Sequence, residues 1–456
     1  MRILLVDAFD PNGRVSSPAS LGFGQIEAHM RSLGHTILTL NGMSDEQVTI
    51  NKIIRFSPEI VGVSCVTDSR KFSFAIAKRI KEIFPDVPII FGGIHPILFY
   101  QKLIQRDYID AIVDGEGERA FEEIVNIYET HGSFKDIEPS LPIVTKHNYR
   151  NYDRNKVQEI LLDEDKIRFI KHDRITKERV DTIFAKKMAR LLTSWGCPYK
   201  CIYCASSRHL RGRFRQKSLN VLMEELEYLA SIKVQKVNII DDLLTVDLDR
   251  AKEFFYMIKK NGFKFSFFVK SRVDRIDNEL FQLFEEAGVK LFSAGVESGS
   301  ERMLKIMKRQ MSLETIKTAF AMTKNFKFRT AANFIIGIPG ETMQDYQLTM
   351  DLIKEIKPDS LQMAINRVYP NTQVYEMCLE KGYLSPDYFD DDSKISPFYS
   401  FEHNINELRK TAMKMYLEWL RIVSWPNRVR SVALTISAHG YPKILSFVKS
   451  GVRSKI

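Results

Sequence analysis

Short β-branched runs alternate with amphipathic stretches along the first 126 residues, and each strand-plus-helix unit is about thirty residues long. Stretches such as Gly24–Leu33 and Phe72–Phe84 place apolar residues at intervals of three and four. This alternation predicts an open, mostly parallel, doubly wound α/β domain of the Rossmann-like type, with its ligand loops at the carboxyl ends of the strands. The predicted strands are Ile3–Asp7, Thr36–Leu40, Ile60–Cys65, Val87–Gly92 and Ile109–Val113.

A second alternation begins at Arg190 and contains six βα units, which predicts a partial (β/α)6 barrel. Its predicted strands are Arg190–Ser194, Lys236–Asp241, Lys264–Val269, Lys290–Val296, Thr330–Ile336 and Asp359–Ile365. The predicted domains are therefore the doubly wound domain at 1–130, a charged connecting region at 131–187, the barrel at 188–385 and a mostly helical C-terminal region at 386–456.

Composition narrows the class of protein further. The chain has 456 residues, of which 44% are hydrophobic and 27% charged, as in a globular protein with a large core. No apolar stretch approaches the ~18 residues of a membrane span. The first residues, MRILLVDAFD, are predicted to form a strand rather than a signal peptide, so a cytoplasmic location is expected. The net charge of +10 indicates an anionic partner only weakly, because the lysines are scattered over helix faces.

The strongest chemical signal is the segment SWGCPYKCIYCASS, which follows a predicted strand and places Cys197, Cys201 and Cys204 on one short loop. Five cysteines in so long a chain are too few for a disulfide framework. Three thiolates at this spacing can each bind one iron of a cubane cluster, and the fourth iron then has no protein ligand. The alternatives are a zinc site that lacks its fourth ligand, or three unrelated buried thiols.

The Cys-x3-Cys-x2-Cys pattern, with Tyr203 before the last cysteine, resembles the signature of the radical SAM superfamily. The resemblance implies a 4Fe-4S cluster on the three cysteines. Its open iron would chelate the amino and carboxylate groups of S-adenosylmethionine (SAM), and electron transfer from the cluster would yield a 5′-deoxyadenosyl radical.

The resemblance also implies roles for polar residues at the ends of the predicted barrel strands. Asp241 and Asp242 would meet the methionine amino group, and Arg272 its carboxylate. Glu297 would meet the ribose hydroxyls, while Gly337, Pro339 and Gly340 would let the backbone approach the adenine. Each carboxylate taken alone is more typical of a helix cap or a surface ion pair, and only their shared position at strand ends favours the cofactor roles.

The N-terminal domain carries segments that resemble cobalamin-binding domains. VGVSCVTDS and FGGIHP resemble the serine-containing and Gly-Gly segments that receive the nucleotide tail, and VDGEGERA resembles the segment that ends such domains. The matching residues are Ser64, Thr67, Gly92, Gly93, Gly115, Glu116 and Glu118. The first loop, DAFDPNGRVSSP, contains no histidine, so no protein imidazole is expected on cobalt. His95 is interpreted as a turn residue rather than an axial ligand, and the alternative is a domain that binds another ligand or none.

Together these features resemble the cobalamin-dependent (class B) radical SAM family, which includes magnesium-protoporphyrin cyclases, hopanoid methylases and C- or P-methyltransferases. The commonest chemistry that the resemblance implies is methylation of an unactivated carbon of a small molecule or lipid. The alternatives are a cobalamin-assisted cyclisation or rearrangement, and an inactive cobalamin- or nucleic-acid-binding protein, against which the intact cysteine triad argues.

The implied partners are the substrate and an electron donor such as flavodoxin or ferredoxin. Nucleic acid is not expected as a partner, since neither the extra N-terminal cysteines of methylthiotransferases nor a small C-terminal β-barrel is evident. The basic tail Val432–Ile456 is interpreted as a helix packed over the barrel mouth, with peripheral membrane contact as the alternative.

Overall fold

The structure is a computed structural model that describes residues 1–7, 21–41, 46–135, 137–157, 161, 180–181, 186–206 and 213–429. The chain forms two compact units. Unit 1 comprises Met1–Lys171 together with Pro386–Ser396, and unit 2 comprises His172–Ser385 together with Pro397–Ile456. The predicted tail 432–456 and most of the first loop, 8–20, lie outside the described residues.

Unit 1 contains a six-stranded sheet in the order β2-β1-β3-β4-β5-β6, in which the first five strands are parallel. Strand β1 is buried throughout Ile3–Val6, as expected for a parallel sheet covered on both faces. The strands are β1 Arg2–Asp7, β2 Thr36–Asn41, β3 Ile60–Ser64, β4 Ile89–Gly92, β5 Ala111–Val113 and β6 Ile143–Thr145. The helices are Leu21–Ser32, Glu46–Phe56, Arg70–Ile83, Ile94–Leu103 and Gly117–His131, with a 3₁₀ turn at Thr67–Ser69.

Two parts of unit 1 differ from the predicted domain boundaries. Strand β6 pairs antiparallel with β5 and extends the sheet, although it lies in the region predicted to be a charged connection. A three-residue strand is too short to show periodicity, and only the complete burial of Ile143 and Val144 reveals it. The segment Pro386–Ser396 also belongs to unit 1, whereas the sequence placed it with the C-terminal region.

Unit 2 contains a seven-stranded sheet in the order β15-β14-β13-β12-β11-β8-β7, and its six strands from β8 to β15 are parallel. This confirms the predicted (β/α)6 arrangement. The parallel strands are β8 Lys186–Leu191, β11 Lys236–Ile239, β12 Ser266–Ser271, β13 Val289–Glu297, β14 Arg329–Ile336 and β15 Ser360–Ile365. The short strand β7, Val180–Asp181, is antiparallel to β8, and the two-residue strands β9 Ser194–Trp195 and β10 Arg215–Gln216 form a separate ladder.

The helices of unit 2 begin at residues whose side chains satisfy otherwise unpaired backbone amides. Ser218, Asp247, Asp277, Ser300 and Ser312 each accept a hydrogen bond from the third residue after them, as N-cap residues do. The helices are Leu219–Ser231, Leu248–Lys260, Asn278–Ala287, Glu301–Ile306, Leu313–Thr323, Met343–Ile356, Gln373–Glu380 and Ile405–Ile422. Within the described part of the chain, no helix is long and apolar enough to cross a membrane.

The core of unit 2 is rich in phenylalanine. Phe255 and Phe284 pack edge to face with ring centroids 4.7 Å apart, and Phe281 makes the same kind of contact with Phe292 of β13 at 5.5 Å. All four side chains are buried. Such packing holds the helices rigidly on the outer face of the sheet, so that the loops at the carboxyl ends of the strands are carried by a fixed scaffold.

Candidate functional site

The cysteine loop follows β8 and is closed at its base by a short antiparallel ladder, in which Trp195 pairs with Arg215. The loop begins at Gly196, whose φ of +88° lies in the left-handed region. A Cβ on Gly196 would lie 1.9 Å from the carbonyl oxygen of Arg213. Only glycine fits there, because any side chain would push the two ends of the loop apart.

The two aspartates after β11 anchor this loop. The carboxylate of buried Asp241 accepts hydrogen bonds from the Thr193 amide at 2.7 Å, the Thr193 hydroxyl at 2.5 Å and the Ser194 hydroxyl at 2.6 Å. Burial raises its pKa, and these donors oppose the rise. Asp242 is exposed, and its Oδ2 accepts from the Gly196 amide at 3.0 Å.

Both aspartates were predicted to meet the SAM amino group. Asp241 uses both carboxylate oxygens to hold residues 193–194, so the contacts that the structure shows for it are those of a support for the cysteine loop. Asp242 is the better placed of the two for the predicted contact, because its side chain is exposed to solvent. The amino-group roles of Asp241 and Asp242 both stay predictions.

The three thiols of the loop lie in a shared electrostatic environment. Cys201 is buried, Cys197 and Cys204 are half-buried, and the Cys204 amide donates to the Cys201 carbonyl at 3.2 Å. Burial raises the pKa of Cys197, and the neighbouring charges of Cys204 and Cys201 raise it further. A group carrying positive iron ions would favour the thiolate form of Cys197 and so oppose the rise in pKa caused by burial and by the neighbouring thiols.

The residues of the cysteine loop fit a 4Fe-4S cluster by their donor set, since cysteine thiolates are the usual ligands of such clusters. Among the residues that the structure describes, no three His, Cys, Asp or Glu side chains already form a group that could hold a metal ion. The fit to a 4Fe-4S cluster therefore rests on the three thiols of one anchored loop and not on a preformed set of metal ligands.

Arg309 lies beside this loop and was not identified from the sequence. Its Nη1 is 3.8 Å from the Cys201 Sγ, its Nη2 donates to the Gly295 carbonyl at 2.5 Å, and the same nitrogen is 3.5 Å from Glu297 Oε1. The side chain is only 6% exposed, and its buried Nε has no hydrogen-bond partner. Arg309 follows a short helix in the stretch MKRQM, where no periodicity or motif distinguishes it.

Glu297 ends β13 in an unusual backbone conformation. Its φ is +74°, and the pairing of β13 with β14 shifts register between Gly295 and Glu297. A left-handed conformation at a non-glycine residue costs about 1–3 kcal/mol and is typical of functional sites. Burial raises the pKa of this carboxyl group, whereas Arg309, Arg272 and a hydrogen bond with Tyr203 oppose the rise. The predicted residues Glu297 and Tyr203 thus meet in one cluster with Arg309.

Arg272 is held in place by its neighbours. Its guanidinium makes two 2.8 Å hydrogen bonds to Asp274, donates to the Arg309 carbonyl at 2.6 Å and stacks 3.8 Å from the ring centroid of Tyr199. The remaining nitrogen of this guanidinium, Nη1, is buried and has no hydrogen-bond partner. Asp274 neutralises part of this charge, and Arg309 is a second candidate for an anionic group beside the cysteine loop. The carboxylate role of Arg272 stays a prediction.

Carboxylates fix the loop after β14 by accepting hydrogen bonds from its backbone amides. Glu341 accepts from the amides of Gly337 at 2.6 Å and Ile338 at 3.2 Å, and Glu402 accepts from the amide of Gly340 at 2.5 Å. Burial raises the pKa of Glu341 to about 7. Gly337 and Gly340 have φ values of +74° and +75°, and a Cβ on Gly340 would meet nothing within 4 Å. The space beside Gly340 is therefore open, while Pro339 is buried. The adenine contacts of Gly337, Pro339 and Gly340 stay predictions.

Unit 1 contains a cavity of about 170 Å³ at the carboxyl ends of β3, β4 and β5. Four predicted residues line it, namely Ser64, Gly92, Gly93 and Gly115. A Cβ on Gly93 would lie 2.7 Å from the Cys65 carbonyl oxygen, and one on Gly117 would lie 2.7 Å from Ile26 Cδ1. These two glycines are therefore required by close packing against Cys65 and Ile26, whereas a Cβ on Gly92 or Gly115 would meet nothing within 4 Å. The cobalamin-binding roles of the four lining residues stay predictions.

Thr67 and Glu116, also predicted to bind cobalamin, lie beside the lining residues rather than among them. Thr67 is buried in the 3₁₀ turn that follows β3, and Glu116 is the residue before the helix Gly117–His131. Their cobalamin-binding roles stay predictions.

His95 is enclosed by aromatic rings. It is 1% exposed, with ring centroids 4.7 Å from Phe99 and 6.1 Å from Phe74. Burial lowers its pKa to about 3, and the nearby charges of Arg70 and Arg106 lower it further. The ring is therefore neutral at physiological pH and faces other side chains, which agrees with a packing role.

We expect the protein loaded with cob(II)alamin to show no nitrogen hyperfine splitting from a protein imidazole in paramagnetic resonance, because His95 is sealed by Phe74 and Phe99. The spectrum of His95→Ala should match that of the wild type. A nitrogen triplet that disappears in the variant would contradict this expectation.

Two protein-family models match the chain. The radical SAM superfamily model matches residues 191–353, and the B12 binding domain model matches residues 16–125. An uncharacterized methyltransferase of Pyrococcus horikoshii is 29% identical over 415 residues, which cover 87% of each chain. The cytidylyl-2-hydroxyethylphosphonate methyltransferase of Streptomyces wedmorensis is 24% identical over 76% of this chain and 71% of its own.

A further relative is the anaerobic magnesium-protoporphyrin IX monomethyl ester cyclase of Rubrivivax gelatinosus, 25% identical over 74% of this chain and 61% of its own. Among solved structures, the radical SAM methyltransferase TsrM of Kitasatospora setae, with cobalamin and a [4Fe-4S] cluster bound, has a TM-score of 0.69 at 17% identity. The match covers 83% of this chain and 78% of TsrM. The fold described above is thus shared with a protein that contains both groups.

Proposed function

Because this chain belongs to the cobalamin-dependent radical SAM family, with a 4Fe-4S cluster, SAM and cobalamin as its cofactors, we propose that it is a methyltransferase acting on an unactivated carbon of a small molecule or lipid. The carrying observation is that one chain joins an anchored three-cysteine loop with a glycine-lined cavity in a B12-type domain. Its similarity to proteins named as methyltransferases supports methyl transfer as the reaction.

The cofactors, when bound, supply a radical that removes a substrate hydrogen atom and a methyl group that replaces it. Cys197, Cys201 and Cys204 would hold the cluster. Arg309 would attract the SAM carboxylate, because its guanidinium lies next to Cys201 and is shielded from water. Glu297, which already lies beside Arg309, would accept hydrogen bonds from the ribose hydroxyls.

The loop after β14 would support the adenine through the open backbone at Gly340. Glu341 would keep that loop in place, since it bonds to two consecutive amides. In unit 1, Ser64, Gly92, Gly93 and Gly115 would surround the nucleotide tail of cobalamin. Each of these residues acts by binding or positioning, so the cofactors carry the reactive chemistry.

A second candidate function is a cobalamin-assisted cyclisation or rearrangement without methyl transfer. The observation that favours it is the similarity to a magnesium-protoporphyrin monomethyl ester cyclase over three-quarters of this chain. Both reactions begin with the same SAM cleavage, so the contacts of Arg309 and Glu297 serve either one. Either reaction consumes electrons, for which we propose a flavodoxin or ferredoxin as the donor.

The stoichiometry of the SAM products distinguishes the two candidates. Methylation uses one SAM for the radical and one for the methyl group, so we expect equal amounts of 5′-deoxyadenosine and S-adenosylhomocysteine. Anaerobic reconstituted enzyme would be incubated with lysate metabolites and methyl-deuterated SAM, and the labelled product identified by mass. Conversion of the substrate with S-adenosylhomocysteine at background would refute methyl transfer and support cyclisation or rearrangement.

A further inference from the structure

A short acidic segment of the chain packs onto unit 1, although the residues before and after it belong to unit 2. This segment, Pro386–Ser396, is called the acidic clasp here and contains four aspartates: Asp387, Asp390, Asp391 and Asp392. We propose that the acidic clasp is a positioning element of the cobalamin site, which holds the turn after β3 in the conformation that the cavity requires. The proposal rests on unit 1 binding cobalamin at the cavity described above.

Ion pairs attach the middle of the clasp to unit 1. Asp392 accepts hydrogen bonds from both Nη atoms of Arg106, at 2.8 Å and 3.0 Å, and Asp390 forms an ion pair with Lys102 at 2.7 Å. Arg106 also lies over the ring of Phe74, 4.3 Å from its centroid. The Arg106–Asp392 contact is a bidentate fork, which gives a defined orientation as well as attraction.

A buried guanidinium joins the clasp to the turn. Arg70 is 1% exposed; its Nη1 donates to the Thr67 carbonyl at 2.6 Å, and its Nη2 donates to the Asp391 carbonyl at 2.6 Å. Phe389 of the clasp is buried beneath it, 5.4 Å from the guanidinium carbon. A buried cation needs its hydrogen-bond acceptors, so displacement of the clasp backbone would destabilise the position of Arg70 and with it the bond to Thr67.

A second hydrogen bond ties the end of the clasp to the same turn, because the Ser396 amide donates to Asp68 Oδ1 at 2.8 Å. Two consecutive residues of the Thr67–Ser69 turn are therefore held, Thr67 through Arg70 and Asp68 directly. These contacts add to the turn's own backbone hydrogen bond, from the Ser69 amide to the Val66 carbonyl at 3.1 Å, and they are what joins the turn to the clasp.

The turn continues directly into the wall of the cavity. Ser64, the last residue of β3, lines the cavity, and the next residue, Cys65, donates its amide to the Gly92 carbonyl at 2.8 Å. The Cys65 carbonyl accepts from the His95 amide at 3.3 Å and lies close to Gly93. A shift of the turn would thus move the backbone against which Gly92 and Gly93 are packed.

The contacts of the clasp are better suited to positioning than to stabilising the whole fold. Lys102, Asp390 and Asp392 are partly exposed, and exposed ion pairs contribute only about 0–1 kcal/mol. Their loss should leave unit 1 folded, since its sheet is covered by apolar side chains independently of the clasp. Cobalamin binding, which requires one conformation of the turn, is the property that should change.

The test compares cobalamin binding by the full-length, cluster-loaded protein and its variants through absorbance titration with hydroxocobalamin. The double variant Asp390→Ala, Asp392→Ala is expected to bind about three- to tenfold more weakly, the range that two lost ion pairs allow. Asp390→Glu, Asp392→Glu keeps both charges and should restore affinity to near the wild-type value. Cluster content and the unfolding temperature of the cobalamin-free protein should be unchanged.

Glu82→Ala is the matched control, because Glu82 forms a 2.7 Å ion pair with Arg79 within the helix Arg70–Ile83 rather than with a residue of the clasp. It should bind cobalamin like the wild type. Unchanged affinity in the alanine double variant would overturn the proposal, as would a loss that the glutamate variant does not restore. Wild-type protein that binds no cobalamin would instead refute the cavity assignment on which the proposal rests.

Discussion

The triple variant Cys197→Ala, Cys201→Ala, Cys204→Ala is expected to bind no 4Fe-4S cluster and to form 5′-deoxyadenosine only at background level. The three thiols are the cluster ligands that the anchored loop offers, and alanine provides no replacement donor. The measurements are iron and sulfide content, the visible absorption of the cluster and the yield of 5′-deoxyadenosine under anaerobic reduction. The fold should persist, because Asp241 still holds the strand end through Thr193 and Ser194.

Cys378→Ala is the control for this experiment. Cys378 is fully buried in the helix Gln373–Glu380, and burial raises the pKa of its thiol to about 11, so it is an inert packing residue. The control should keep a full cluster and full SAM cleavage. A complete cluster in the triple variant, or zinc bound tightly by the wild type in place of iron, would refute the assignment of the cysteine loop.

Replacing Arg309 by methionine is expected to lower SAM cleavage about 100-fold while the cluster is retained, since a misplaced substrate commonly costs that factor. The variant removes the buried positive charge between Cys201 and Glu297 but keeps a long apolar side chain. Arg309→Lys should recover part of the activity, because a lysine restores the charge without the fork. SAM affinity, measured by anaerobic equilibrium dialysis, should fall together with the rate.

Arg275→Met serves as the matched control, because Arg275 is an exposed arginine of the same region that donates to the Tyr199 hydroxyl at 2.8 Å. Its SAM affinity should be close to that of the wild type. Normal SAM affinity in Arg309→Met would contradict the proposed role and favour Arg272, which still has a buried unpaired Nη1. Loss of the cluster in Arg309→Met would instead show that this residue supports Cys201.

The order of strands and helices was predictable because it depends on local patterns of apolar residues. Apolar side chains repeat with the period of a buried strand or of an amphipathic helix, and a parallel sheet follows when the two alternate. The spacing of Cys197, Cys201 and Cys204 is equally local, since a loop of eight residues can bring its own side chains to one cluster whatever the rest of the fold does. The carboxyl-end positions of Glu297 and Gly337 follow from the same strand pattern.

The partners of these residues depend on contacts between segments that are distant in the chain. Asp241 reaches back 48 residues to Thr193, and Arg309 lies 108 residues from Cys201, so neither contact leaves a periodic or spaced signal. The acidic clasp meets Arg70 across 321 residues, and β6 is recognisable only by burial against β5. Local free-energy preferences therefore determined the strands and helices, and the local sequence fixed the spacing of the three cysteines. The tertiary packing decided which charged side chain supports the cysteine loop and which lies buried beside it, because burial and pairing arise only when distant segments meet.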